Sequence, residues 1–105
     1  MPHSHEAIAS RTLLWSRKGE EVRRIVVIGI SAPHPIPPGS VSFEVHEGAA
    51  SCVIMFDGLP QEDIVVQGAD AIQALAFATD LDPYIRGLSR RYEFYFETGD
   101  PYFED

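Results

Sequence analysis

Between Ile25 and Asp70 the chain contains no lysine and no arginine, and the same stretch carries six acidic residues. Residues 1–24 hold five basic and three acidic groups, and residues 71–105 hold three and seven. The formal net charge of −8 therefore arises wholly after residue 24. Binding to nucleic acid displaces counterions with a basic face, and a chain with this distribution is not expected to bind it. An acidic surface suits a basic protein partner, and it also serves solubility.

Cysteine is nearly absent too. Cys52 stands alone, so no internal disulfide can form and nothing argues for an oxidising compartment. The opening MPHSHEAIAS lacks the charged region, apolar core and small-residue cleavage site of a secretion signal. A cytoplasmic protein is the expectation. Long apolar runs are missing: the longest, IVVIGI at residues 25–30, is strand-sized, far below the ~20 residues that span a bilayer. No phosphate loop, dinucleotide fingerprint, serine elbow or paired-cysteine zinc motif occurs, and no cofactor is expected.

At 105 residues, 45% hydrophobic and 23% charged, the remainder reads as one ordinary globular domain, residues 11–105, after a flexible start at 1–10. RTLLWS (11–16) reads as a strand and the region around Gly19 as a turn. VRRIVVIGIS (22–31) is a longer strand whose IVVI centre is apolar on both faces. That pattern marks an inner strand covered on both sides, or a contact between protomers. The four prolines of residues 32–39 cannot pair in a sheet interior and predict a stiff extended loop. VSFEVHE (41–47) alternates cleanly and predicts a hairpin with SCVIMFD (51–57), pairing Val45 with Cys52, Phe43 with Ile54 and Val41 with Phe56. DIVVQG (63–68) is a short strand leading into a helix.

That helix should start at Asp70 as N-cap, with Gln73 at the reciprocal position of a capping box. Ile72, Leu75, Ala76 and Thr79 fall on one stripe; Phe77, Leu81, Tyr84 or Ile85, and Leu88 continue on a neighbouring one. Small residues Ala71, Ala74, Ala76 and Ala78 would let it lie close on a sheet. Pro83 predicts a kink or break near Leu81–Asp82, with Asp82-Pro83 able to restart a turn as N-cap and N1, and Gly87 a stop. Residues 92–97 read as a last strand, followed by a turn at Gly99-Asp100-Pro101. The sum is an α+β fold, a mainly antiparallel meander of five or six strands with one face covered by a single main helix at about 70–82.

GADAIQALAFATDL, with RTLLW and the GISAPHP strand-to-proline transition, resembles a family of small bacterial α+β domains of unknown function. The resemblance is carried by Arg11, Thr12 and Leu13, by Gly29, Ala32 and Pro33, and by Gly68, Asp70, Ile72, Gln73, Ala74 and Leu75. It spans residues 8–82 in scattered fashion. It implies a compact α+β fold and brings no catalytic residues; some domains of this size and kind resemble immunity proteins that neutralise secreted toxins.

His3, His5 and Glu6 suggest an amino-terminal metal site, but Pro2 has no amide hydrogen to give up to the metal. His46 and Cys52 suggest a base and nucleophile, but the predicted hairpin turns them to opposite faces and leaves Cys52 as a buried small hydrophobe. His34 and His46 offer two ligands where a catalytic zinc needs three. Asp57, Glu62 and Asp63 surround a turn without calcium-loop spacing. The tail is the strongest candidate. YEFYFE places Tyr92, Phe94 and Phe96 on one face, as a core strand would, and Glu93, Tyr95 and Glu97 on the other. Tyr95, Tyr102 and Phe103 are then candidate anchors for a protein partner, with Glu104 and Asp105 steering it by charge. Arg86, Arg90 and Arg91 could neutralise this acidic end.

The function expected is a non-enzymatic protein-binding module, immunity-like or an accessory adaptor, with an unknown and basic partner. The alternatives are a homo-oligomeric structural domain and, further off, a small metal-dependent enzyme or ligand binder using His34 and His46.

Overall fold

A computed structural model describes residues 5–36 and 48–103. Six strands and two helices follow in the order β1 (Ala7–Arg17), β2 (Arg24–Ser31), β3 (His34–Pro35), β4 (Ala50–Asp57), β5 (Ile64–Gly68), α1 (Ala71–Thr79), α2 (Asp82–Leu88) and β6 (Tyr92–Tyr95). All pairings are antiparallel and join one sheet in the order β3-β4-β2-β1-β6, with β5 also on β4. The fold is thus α+β with an antiparallel sheet, but it is not a plain meander. After the helices the chain crosses to the far side of the sheet, and β6 pairs with β1.

One face of the sheet carries the core. Leu13 pairs with Val26, Ile28 with Phe56, Ile30 with Ile54 and Cys52 with Val66, so side chains of four strands converge on that face. Ala74, Ala78, Leu81 and Ile85 of the helical layer close over them. Each fully buried aliphatic side chain there contributes about 1.5–3 kcal/mol over leaving it in water. Trp15 lies in the same core and donates its indole N–H to the carbonyl of Gly58 at 2.9 Å. Gly58 has φ 98°, and a Cβ there would meet the carbonyl oxygen of Ile25 at 2.3 Å, so the turn after β4 requires glycine.

Several boundaries differ from expectation. β1 begins at Ala7, inside the stretch expected to be frayed, because backbone pairing to β2 needs no large side chains. Gly29 makes room for it: a Cβ at Gly29 would stand 3.0 Å from the Ala7 Cβ. The single helix is two. Asp70 caps α1, accepting from the Gln73 N–H at 2.7 Å while the Gln73 side chain accepts from the Ala69 N–H, one residue before the reciprocal capping-box donor. α1 stops at Thr79 and α2 starts at Asp82, with Leu81 rather than Asp82 as N-cap and Pro83 in the first turn, where a missing N–H costs nothing. Gly87 lies inside α2, which ends at Leu88.

The buried stripe of α1 is Ala74 and Ala78, and Ile72 is 81% exposed. Alanine wins because the helix lies so close to β5 that a Cβ on Gly68 would meet the Ala74 nitrogen at 2.4 Å. β6 ends at Tyr95, so Tyr92 and Phe94 enter the core and Phe96 remains 44% exposed.

The predicted strand 41–47 lies outside the described residues. Its intended partners are taken: Ile54 sits between Ile30 and Ile64, and Cys52 pairs with Val66. β2 is an inner strand as its pattern suggests, but its second face is only partly covered, with Ile25 62% exposed and Val27 half-buried. Among the described residues no helix is long and apolar enough to cross a membrane.

Candidate functional site

The chain after β6 folds back along that strand. Phe96 donates its N–H to Asp100 and Gly99 donates to Phe96, closing a turn in which Gly99 takes φ 96°. Pro101 then forms a bridge to Tyr95, and the Tyr102 N–H donates to the Phe94 carbonyl at 2.9 Å. The hairpin covers part of the outer edge of β6 and stacks its aromatic rings against one another. Phe96 and Tyr102 stand 5.0 Å apart between ring centroids, and Tyr102 meets Phe103 edge-on at 4.9 Å.

Arginines brace this cluster from three parts of the chain. The Arg23 guanidinium lies 3.7 Å from the centre of the Tyr95 ring and donates to the Gly99 carbonyl at 3.1 Å. Arg86 of α2 lies 3.9 Å from the centre of the Phe103 ring. Arg11 of β1 donates to the Tyr102 hydroxyl at 2.6 Å, and that hydroxyl donates to Asp82 at 2.6 Å. Burial, then the Asp82 hydrogen bond, raise the Tyr102 pKa above the ordinary tyrosine range, with Arg11 pulling the other way. Tyr95 donates to Glu93 at 2.9 Å and lies 3.2 Å from the Ser16 hydroxyl.

Tyr102 and Phe103 thus stack with Phe96, Tyr95 stands apart against Arg23, and Glu104 and Asp105 lie outside the described residues. Beneath the hairpin a cavity of about 270 Å³ is lined by Lys18, Arg86, Tyr92, Tyr95 and Phe103 among others. The hydroxyls and cations of the cluster are largely occupied by one another. What the cluster offers outward is ring surface with the exposed carboxylates of Glu93, Glu97 and Asp100.

The other sequence candidates separate. Cys52 is buried in the core, and burial raises its thiol pKa. His34 lies on the two-residue strand β3 with its ring 5.2 Å from that of His5; His46 lies outside the described residues. Among the described residues no three His, Cys, Asp or Glu side chains gather at metal-binding distance. Asp57, Glu62 and Asp63 are exposed around the turn between β4 and β5.

A second concavity was not legible in the sequence. A groove of about 460 Å³ runs between β5 and the helices, lined by Val65, Gln67, Phe77, Asp80, Pro83 and Tyr84 among others. Its walls come from β5, α1 and the start of α2, a juxtaposition that nothing in a linear pattern reports. The signal available was negative: both walls come from a stretch, residues 25–85, without a single lysine or arginine. No protein-family model matches the chain, and no curated protein or solved structure matches it either.

Proposed function

We propose that the chain is a non-enzymatic protein-binding module that takes a basic partner, in the manner of an immunity protein or an accessory adaptor. The observation that carries this reading is the commitment of Arg11, Arg23 and Arg86 to internal aromatic and carbonyl contacts. Those arginines hold the rings in place, so a partner meets surface whose ordering cost is already met. They also leave the exposed carboxylates as the outward charge of the tail, which suits a basic surface.

The test is affinity capture from the source lysate with the natural chain and with a control carrying Phe103→Ala, Glu104→Lys and Asp105→Lys. A basic protein bound in near-equal amounts by the natural chain and lost with the control supports the reading. Equal capture by both, or none, contradicts a tail site.

A second reading, a homo-oligomeric structural domain, is favoured by one observation. Ile25 and Val65 are 62% and 60% exposed on the sheet face opposite the helices. Light scattering separates the two: a monomer at high concentration leaves only the binding module.

A further inference from the structure

We infer that the outer edge of β5 is a docking groove for an extended basic peptide segment, which adds to the sheet as a further strand. This deepens the protein-binding reading and rests on it, but it places the contact away from the tail.

The direction of the backbone groups carries the argument. The Val53 N–H in β4 donates to the Ser31 hydroxyl at 2.9 Å, on the β2 side, and so points away from β5. Opposed residues of an antiparallel ladder turn their N–H and C=O groups either both inward or both outward. Val65 is opposed to Val53, so its N–H and C=O point out of the sheet. The other end of β4 agrees. Ile36 donates to Ala49 on the β3 side, so Ser51, two residues on, also turns toward β3, and its opposite number Gln67 turns outward. Two donors and two acceptors, spaced at the strand period, thus line an edge with no strand partner among the described residues. Unpaired edges of this kind template strand addition.

The walls specify the occupant. Ile64, Val65, Val66 and Gln67 all line the groove. Alternate residues of a strand point to opposite faces, so four in succession share a groove only if it runs along the edge. A strand added there would direct every second side chain toward Phe77, Pro83 and Tyr84, of which Phe77 is 49% exposed. Asp80 lines the same wall and Glu62 precedes β5; no lysine or arginine occurs in residues 25–85, which build both walls. A strand with apolar residues toward that wall and lysine or arginine between them meets the rings directly and the carboxylates through their field. An acidic peptide would meet only like charge.

The probe is a fluorescein-labelled octapeptide of alternating lysine and valine, with a glutamate–valine octapeptide and an alternately N-methylated lysine–valine octapeptide as controls. Binding to the full chain is read by anisotropy, and its place by backbone amide shifts. The lysine–valine probe should bind, weaken as salt rises, and shift the amides of residues 64–67, while both controls bind at least about tenfold more weakly. Val65→Pro removes one outward N–H without touching the ladder to β4. It should weaken binding about tenfold or more while the circular dichroism and melting curve stay as in the natural chain. Should that variant melt early, Asp80→Lys, which changes only the wall, serves in its place with the same expected loss.

No binding by the lysine–valine probe, shifts confined to the tail, or equal binding of the N-methylated peptide would overturn the groove. A whole-protein partner lost with the tail control yet retained by Val65→Pro would overturn it while leaving the binding module in place. A concentration-dependent dimer abolished by Val65→Pro would show that a second copy, not a basic peptide, takes the edge, and would overturn it too.

Discussion

The hydroxyl of Ser31 and the backbone of Val53 form one joint: Ser31 accepts from the Val53 N–H at 2.9 Å and donates to the Ala32 carbonyl at 3.0 Å. Ser31 ends β2, and past it the chain turns away toward β3, so a side chain supplies the acceptor that a continued strand would have given. Both groups are buried. Ser31→Ala should strand the Val53 N–H and lower the unfolding free energy by about 1–3 kcal/mol. Urea denaturation with an unchanged m-value checks it; an unchanged midpoint would contradict it.

The strands with strong apolar content are legible in the sequence: Leu13 and Trp15, Val26 to Ile30, and Cys52 to Phe56 all lie in strands. Their neighbours are not. VSFEVHE alternates better than any other segment, yet β4 is flanked by β2, β3 and the short β5, because closing a sheet over α1 rewards a strand that leads directly into that helix. Likewise Ile72 has the hydropathy of a core residue, but the helix approaches too closely at Gly68 for anything larger than alanine to face the sheet. The aromatic tail was legible in the sequence, whereas its arginine partners come from β1, the chain before β2, and α2, with separations of 91, 72 and 17 residues that no local pattern records.

Gly68 and Ala74 offer a direct test of that close approach. Gly68→Ala places a methyl 2.4 Å from the Ala74 nitrogen and 2.8 Å from its Cα, both backbone atoms that cannot step aside. The variant should lose about 1–3 kcal/mol through displacement of α1, read as a drop in melting temperature. Gly87→Ala, where an added Cβ meets nothing, should be neutral or stabilising.

Tyr102 ties the tail to β1 and α2. Tyr102→Phe removes the bonds to Arg11 and Asp82 and should cost about 1 kcal/mol, since the pair is partly solvated. The pH dependence follows from the raised phenol pKa. In the folded chain this group keeps a proton that the unfolded chain has already released. Its contribution is therefore full below the ordinary tyrosine pKa and lost as pH rises through the raised folded value. The difference in stability between the natural chain and Tyr102→Phe should shrink in alkaline solution, and a difference independent of pH would contradict it.

Cys52 should behave as a core atom. Its burial and raised pKa keep the thiolate scarce. Its reaction with a disulfide reagent should be undetectable in the native chain and should track global unfolding in urea. Fast reaction without denaturant would place Cys52 in a mobile or open setting.

Amide hydrogen exchange along β5 in the free monomer tests the open edge most directly. Ile64, Val66 and Gly68 pair inward to β4, while Val65 and Gln67 turn outward. The prediction is alternation: slow exchange at residues 64, 66 and 68, and exchange near the unprotected rate at 65 and 67, slowed when the lysine–valine octapeptide is added. Slow exchange at Val65 and Gln67 before any peptide is present would mean that the edge is already covered, and the groove could not receive a strand.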